Sequence, residues 1–300
     1  MQCKRPVLES PTSTLIISGG IIMKAKRFIF TAVILCAVML FAGTSLAATT
    51  KVGQLSKLNM SEQDFQNFVA ASQASGRSKI FSAGQYDETV LVFYDSLLSM
   101  QMALNAGDIQ RMILPEAVAE YVMNVNDGYE IATIVRIAPA SLALGFRKDD
   151  DPSLRNRFNE ALLSMKADGT LAILRAKYID EAGLDAPEPV QFAKYDNIDT
   201  TIKVAVTGDL PPIDFIAADG TPAGFNTAVL AELAKRMKVN IQLVNIESGA
   251  RAAALASKRA DVVFWFEYTK GIDAQPDVPE GIVLSETYYT WNEMLSLKKK

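Results

Sequence analysis

Histidine is absent from all 300 residues, so any chemistry in this chain rests on carboxylates, amines and aromatic rings. Ser-His-Asp and Cys-His triads are excluded, and so are His-based zinc sites. Carboxylate acid–base work remains open, with Glu116 and Glu267 as the candidate pair. Trp265, Phe266, Glu267 and Tyr268 stand at the end of the apolar run "DVVFWF". Aromatics at a strand end stack on an apolar or cationic ligand, or they pack against a neighbouring lobe or a partner subunit. Glu116 follows Pro115 at a helix start, where an acid is favourable for dipole reasons alone, so its role has two readings. Asp149-Asp150-Asp151 reads as a turn and helix cap rather than a cation site. No metal or cofactor is expected, and no activity motif marks an enzyme.

These residues need rigid elements behind them, and the sequence alternates strand-like and helix-like stretches, the pattern of α/β lobes with largely parallel sheets. In the first half "KVGQL", "TVLVFY" and "IQRMIL" read as strands. A helix opens at Ser61 with Asp64 behind it, and another, "LLSMQMALNAG", is capped by Asp95 or Ser96 and ended by Gly107. "EAVAEYVM" is a helix, and "EIATIVRI" and "SLALGF" read as two strands. Asp151-Pro152 starts a long helix with Leu154, Phe158, Leu162 and Met165 on one face, and Gly169 separates it from the next, "TLAILRAKYI". The second half repeats the logic, with strand "TIKVAV", a hairpin turning at Asp219-Gly220, helix "NTAVLAELAKRM", then "NIQLVNI", "ARAAALASKR", "DVVFWF" and a return strand. Tyr288, Tyr289 and Trp291 on that return strand read as structural.

The N-terminus reads as an export signal. Lys24, Lys26 and Arg27 precede the apolar run "FIFTAVILCAVMLFAG", and small residues allow cleavage after Ala47 or Ala48. Leu35 before Cys36 does not suit a lipid-anchor site. Residues 1–22 fit no part of the signal and read as mis-assigned upstream sequence, with 23–48 the signal itself. Cys3 and Cys36 both lie upstream of the cleavage site, so the mature chain carries no thiol. Removing residues 1–47 takes away Lys4, Arg5, Lys24, Lys26 and Arg27 and one acid, Glu9, which moves the net charge from −4 to −8. Such an acidic chain, with no basic patch, argues against nucleic-acid binding. The expected location is periplasmic or secreted.

Two stretches carry a family resemblance: "GDLPPIDFIAADGTPAGFNTAVLAELAKRM" and "RKDDDPSLRNRFNEALLSMKADGTLAIL". They resemble the first and second lobes of the extracytoplasmic solute-binding proteins of the amino-acid-type family, family 3, that serve ABC importers. The lobes stand in permuted order. The resemblance implies an α/β, two-lobed fold like the type II periplasmic binding proteins, each lobe a mostly parallel sheet flanked by helices. Residues 49–180 are the second-lobe-like domain, 181–201 a linker and 202–300 the first-lobe-like domain. Circular permutation produces this order; two incomplete modules in tandem, each needing a partner, are the rival.

By position, the resemblance places ligand contacts at Asp209 and Leu210, at Trp265, Phe266, Glu267 and Tyr268, at Asn59 and Met60, and at Glu116. The arginine that clamps a ligand's carboxylate in this family is missing: its position falls near Asp273, with Lys270 the cation beside it. The implied function is capture of a small polar solute, an amino acid or a relative, between hinged lobes for an ABC permease. The alternative is an interaction or structural protein on a degenerate binding-protein scaffold, in which Trp265 and Phe266 sit at an interface of a homo- or hetero-oligomer.

Overall fold

The fold comes from a computed structural model that describes residues 49–74, 89–181, 187–196, 201–217, 219–273 and 275–300. The segment 1–22, the signal 23–48 with Cys36, and much of the linker lie outside the described residues. Ala48–Lys300 forms one compact unit.

Eleven strands and seven α-helices are used below. The strands are β1 (Thr50–Leu55), β2 (Thr89–Tyr94), β3 (Arg111–Pro115), β4 (Tyr129–Arg147), β5 (Thr201–Val206), β6 (Asp209–Leu210), β7 (Asp214–Ile216), β8 (Pro222–Ala223), β9 (Asn240–Asn245), β10 (Val262–Thr269) and β11 (Ile282–Lys299). The helices are α1 (Glu62–Ala74), α2 (Leu97–Ala106), α3 (Glu116–Val125), α4 (Ser153–Ala167), α5 (Thr170–Arg175), α6 (Gly224–Met237) and α7 (Arg251–Ala256).

The local signals act as read. Ser61 Oγ accepts from Asp64 N–H at 3.2 Å and caps α1, and Ser96 Oγ accepts from Ser99 N–H at 3.1 Å and caps α2. Gly107 ends α2 at φ 86°, a left-handed conformation that a side chain would resist. On α4, Phe158, Leu162 and Met165 are fully buried and Leu154 partly so. Asp151 Oδ1 accepts from Ser153 N–H at 2.7 Å, the turn role expected of it. The Asp219-Gly220 turn joins β7 to β8.

Each half carries its parallel triplet, β2-β1-β3 and β10-β5-β9. Two long strands join the triplets into one eight-stranded sheet of order β2-β1-β3-β11-β4-β10-β5-β9. β11 runs antiparallel to β3 and β4, and β4 runs antiparallel to β10. β4 is a single strand where the sequence suggested two, "EIATIVRI" and "SLALGF". Between those two stretches lies Pro139, which lacks an N–H for the ladder. It is tolerated because the β4–β11 register shifts there, between Trp291–Ala140 and Glu293–Arg136. That shift is also where the sheet passes from one half to the other. β3 pairs with β11 from Met294 onward, and β10 pairs with β4 from Ala140 onward.

The division in space departs from chain order in one respect. Helices α4 and α5, grouped with the first half in the sequence reading, pack on α6 and β11. Arg236 on α6 holds them, donating to Ser164 Oγ at 2.7 Å and to Thr170 Oγ1 at 2.8 Å and pairing with Asp168 at 2.8 Å.

Candidate functional site

The C-terminal ends of β1 and β3 face those of β5 and β10 across the junction, where a ligand of a two-lobed protein would sit. Ile213 and Leu210 approach from the loop after β5, Trp265 and Glu267 from β10, Ser56 and Lys57 from the end of β1, and Trp291 from β11. The space they enclose is about 30 Å³, the share of one water in the liquid. Three contacts close it. Lys57 Nζ meets Glu267 Oε2 at 2.8 Å, Asn59 N–H donates to the Pro276 carbonyl at 2.8 Å, and Asn59 Nδ2 donates to the Gln275 carbonyl at 2.9 Å.

Trp265 and Trp291 are the largest side chains in the junction, and Trp265 is held from two sides. Its Nε1–H lies 3.2 Å from Asp214 Oδ2 and 3.3 Å from Thr207 Oγ1. The Arg251 guanidinium lies 3.8 Å from the ring centroid on a face, a cation–π contact in a dry setting. Arg251 is itself 1% exposed. Its Nη1 and Nη2 reach the two oxygens of Asp277 at 2.8 Å each, Nε donates to the Ser248 carbonyl at 2.9 Å, and Nη1 donates to the Trp265 carbonyl at 3.0 Å. Asp277 also accepts from Glu267 N–H at 2.9 Å and from Leu58 N–H at 3.4 Å, so this buried pair touches both halves.

Two acids on the β5–β7 side feel the same dryness. Burial pushes the Asp209 carboxyl up; its contact with Thr207 opposes this, and the neighbouring charges of Asp214 and Glu247 add to the rise. Burial also raises Asp214, against hydrogen bonds from Thr207, Gly208 and Trp265 to its Oδ2.

The residues named from sequence therefore separate. Leu210, Trp265 and Glu267 line the junction, Asp209 stands beside it at the end of the same loop, and Asn59 latches the halves. Phe266 is corrected: strand alternation turns it to the opposite face from Trp265, fully buried against Gly145 in a separate apolar cluster. It is at neither a ligand nor a subunit interface. Tyr268 pairs with Ser141 along the β10–β4 ladder and lines neither cavity between the halves. Met60 packs on the core, and Glu116 is exposed in the first turn of α3, where the dipole reading suffices. Glu116 lines neither of the two cavities described between the halves, both of which Glu267 lines. Sequence reasoning missed Lys57, Gln54, Arg251 and Asp277. An arginine inside the alanine run "GARAAALA" is the one signal that pointed at Arg251, since a charge there needs a buried partner.

No helix among the described residues is long and apolar enough to cross a membrane, and no His/Cys/Asp/Glu group there could hold a metal ion.

Residues 202–298 match the family model "Bacterial extracellular solute-binding proteins, family 3". No curated protein matches the chain. Among solved structures, the ligand-binding component of an ABC-type import system from Staphylococcus aureus, with zinc bound, is 10% identical at a TM-score of 0.43. The match covers 84% of this chain and 66% of that one, just under two thirds of its length. A YaeC-family pheromone precursor lipoprotein from Enterococcus faecalis V583 is 11% identical, with 84% and 86% covered and a TM-score of 0.36. Full-length OxyR C199D from Pseudomonas aeruginosa is 9% identical, with 93% and 69% covered and a TM-score of 0.39. Over residues 202–298, about a third of its length, the chain is similar to the bacterial extracellular solute-binding proteins of family 3.

Proposed function

We propose that this chain is the solute-capturing component of an ABC importer, exported by its N-terminal signal, and that it closes on its ligand within one chain. The observation that carries this reading is the pair of strands β4 and β11, which run through both halves and change register at the same level, Pro139 and Asn292. A two-strand crossing with a local irregularity is a hinge, and the Lys57–Glu267 and Asn59–Gln275 contacts are what the closed form gains. Circular permutation accounts for such a sheet more simply than two incomplete modules do, because each half finds its complement in the same molecule.

The solute is of amino-acid type or related to it. The family's carboxylate clamp has no substitute here, since Arg251, the buried arginine of the junction, is occupied by Asp277. No catalytic step is assigned. The rival reading, an interaction protein on this scaffold, is favoured by one observation, the nearly filled junction around Trp265.

The test is native mass spectrometry of the gently purified protein, followed by calorimetry against amino acids, their amides and the corresponding amines. Small-angle scattering is run with and without any hit. Capture predicts one saturable ligand and a smaller radius of gyration in its presence. A chain that binds no solute and forms a stable oligomer supports the rival.

A further inference from the structure

Beside the filled junction lies a second space of about 430 Å³, within the size range of small-molecule sites. It opens between α1 and β1 on one side and the end of β10 with the loop after it on the other, against β4 where the sheet passes between the halves. Its walls are apolar: Phe65, Phe68, Ile113, Val135, Ile137 and Met294 contribute from the first half and the crossing strands, and Ile272 and Pro276 from the second. Gln54, Glu267, Thr269 and Lys270 interrupt them, and the first two matter here. Gln54 is only 9% exposed, and its side-chain amide makes no hydrogen bond among the described residues. Glu267 gives one carboxylate oxygen, Oε2, to Lys57, and among the described residues no partner meets the other, Oε1. The Gln54 amide is reached from the cavity and holds no protein partner among the described residues, so it is free to bond a molecule there.

We propose that this cavity, bounded by Gln54, Glu267, Phe65 and Val135, is the solute site, and that it takes an aromatic or branched-aliphatic molecule with a single amine or amide head and no carboxylate. This rests on the solute-capture reading above and names its substrate class. The head donates to Glu267 Oε1 and to the Gln54 carbonyl oxygen, and an amide head also accepts from the Gln54 amino group. A carboxylate in the same place meets Glu267 as a like charge. Lys270, a cation of the lining that has no acid partner among the described residues, is exposed to solvent and offers little compensation. The solute contacts residues of both halves, so occupancy favours the closed state.

The probes are phenethylamine, hydrocinnamamide and hydrocinnamate, which share a phenyl ring on a two-carbon chain and differ in the head, with isopentylamine as the aliphatic case. Calorimetry and thermal shift on the full chain are expected to give saturable binding of the amine or the amide, with hydrocinnamate at least about tenfold weaker. Gln54→Leu is expected to weaken binding about tenfold. Ala138→Trp fills the cavity and is expected to abolish binding while raising or preserving the melting temperature. Both variants are checked for cooperative unfolding, so a folding failure in one leaves the other decisive. Preferred binding of hydrocinnamate, or binding that neither folded variant disturbs, overturns the cavity assignment while leaving solute capture standing. So does binding of a zwitterionic amino acid alone. If no solute of any head chemistry binds, both readings fall.

Discussion

Replacing Asp277 by Asn should cost this protein a large part of its stability. Arg251 and Asp277 are 1% and 2% exposed and joined by two contacts of 2.8 Å, so their attraction is barely screened by water. Removing one partner of such a pair leaves an uncompensated buried charge, at about 3–5 kcal/mol. Asn keeps one oxygen for the Glu267 N–H but turns an amino group toward a guanidinium that only donates, so the loss should fall near 3 kcal/mol. For a domain of this size that is a drop in melting temperature of roughly 6–12 °C. The control is Arg251→Met with Asp277→Asn. It removes the orphaned charge while retaining an acceptor for Glu267 N–H, and should recover most of the loss. Urea unfolding followed by fluorescence and circular dichroism gives both numbers. A single-variant loss below about 1 kcal/mol, or a double variant no better than the single, refutes the claim that the pair is dry and mutually dependent.

Gly145→Ala should destabilise by about 1–3 kcal/mol, because a β-carbon there would overlap the Phe266 ring; chemical denaturation reads it directly. Lys57→Met should loosen the contact between the halves, seen as a larger radius of gyration in scattering, with little change in circular dichroism. Asp209→Asn bears on pH. The folded state raises the Asp209 carboxyl, so it holds its proton more tightly than the unfolded chain does. Its stabilising share is therefore present below the ordinary carboxylate value, near 4, and is lost as pH rises through the raised value. The variant should gain melting temperature at neutral pH and lose part of the decline that sets in as pH rises above about 4, as thermal scans at stepped pH would show.

Much of the fold was legible because local rules and global packing agree. The Ser61 and Ser96 caps, the Gly107 stop and the Phe158–Leu162–Met165 face each act as their residue types dictate. β4 reads as two strands in the sequence, and the register shift that lets it run on through Pro139 involves the partner β11, far away in sequence. The site was less legible for the same reason. Trp265 and Phe266 are neighbours in sequence and look like one cluster, yet strand alternation sends one to the junction and the other to a separate core. Gln54 carries no motif at all. Its place in the proposed site comes from facing an apolar space whose other wall, Thr269 to Ile272, lies in the opposite half of the chain.

β11 has a further consequence, for the order of events during folding. It lies in the middle of the sheet, with Met294 opposite Pro115 and Leu297 opposite Ile131, pairings of very high sequence separation. Until it arrives, the β2-β1-β3 triplet has an open edge at β3, and β4 lacks its neighbour along most of its length. Contact order of this kind slows folding. The sheet cannot close until residues 282–299 dock, so the expected slow step of folding is the insertion of this one strand between β3 and β4.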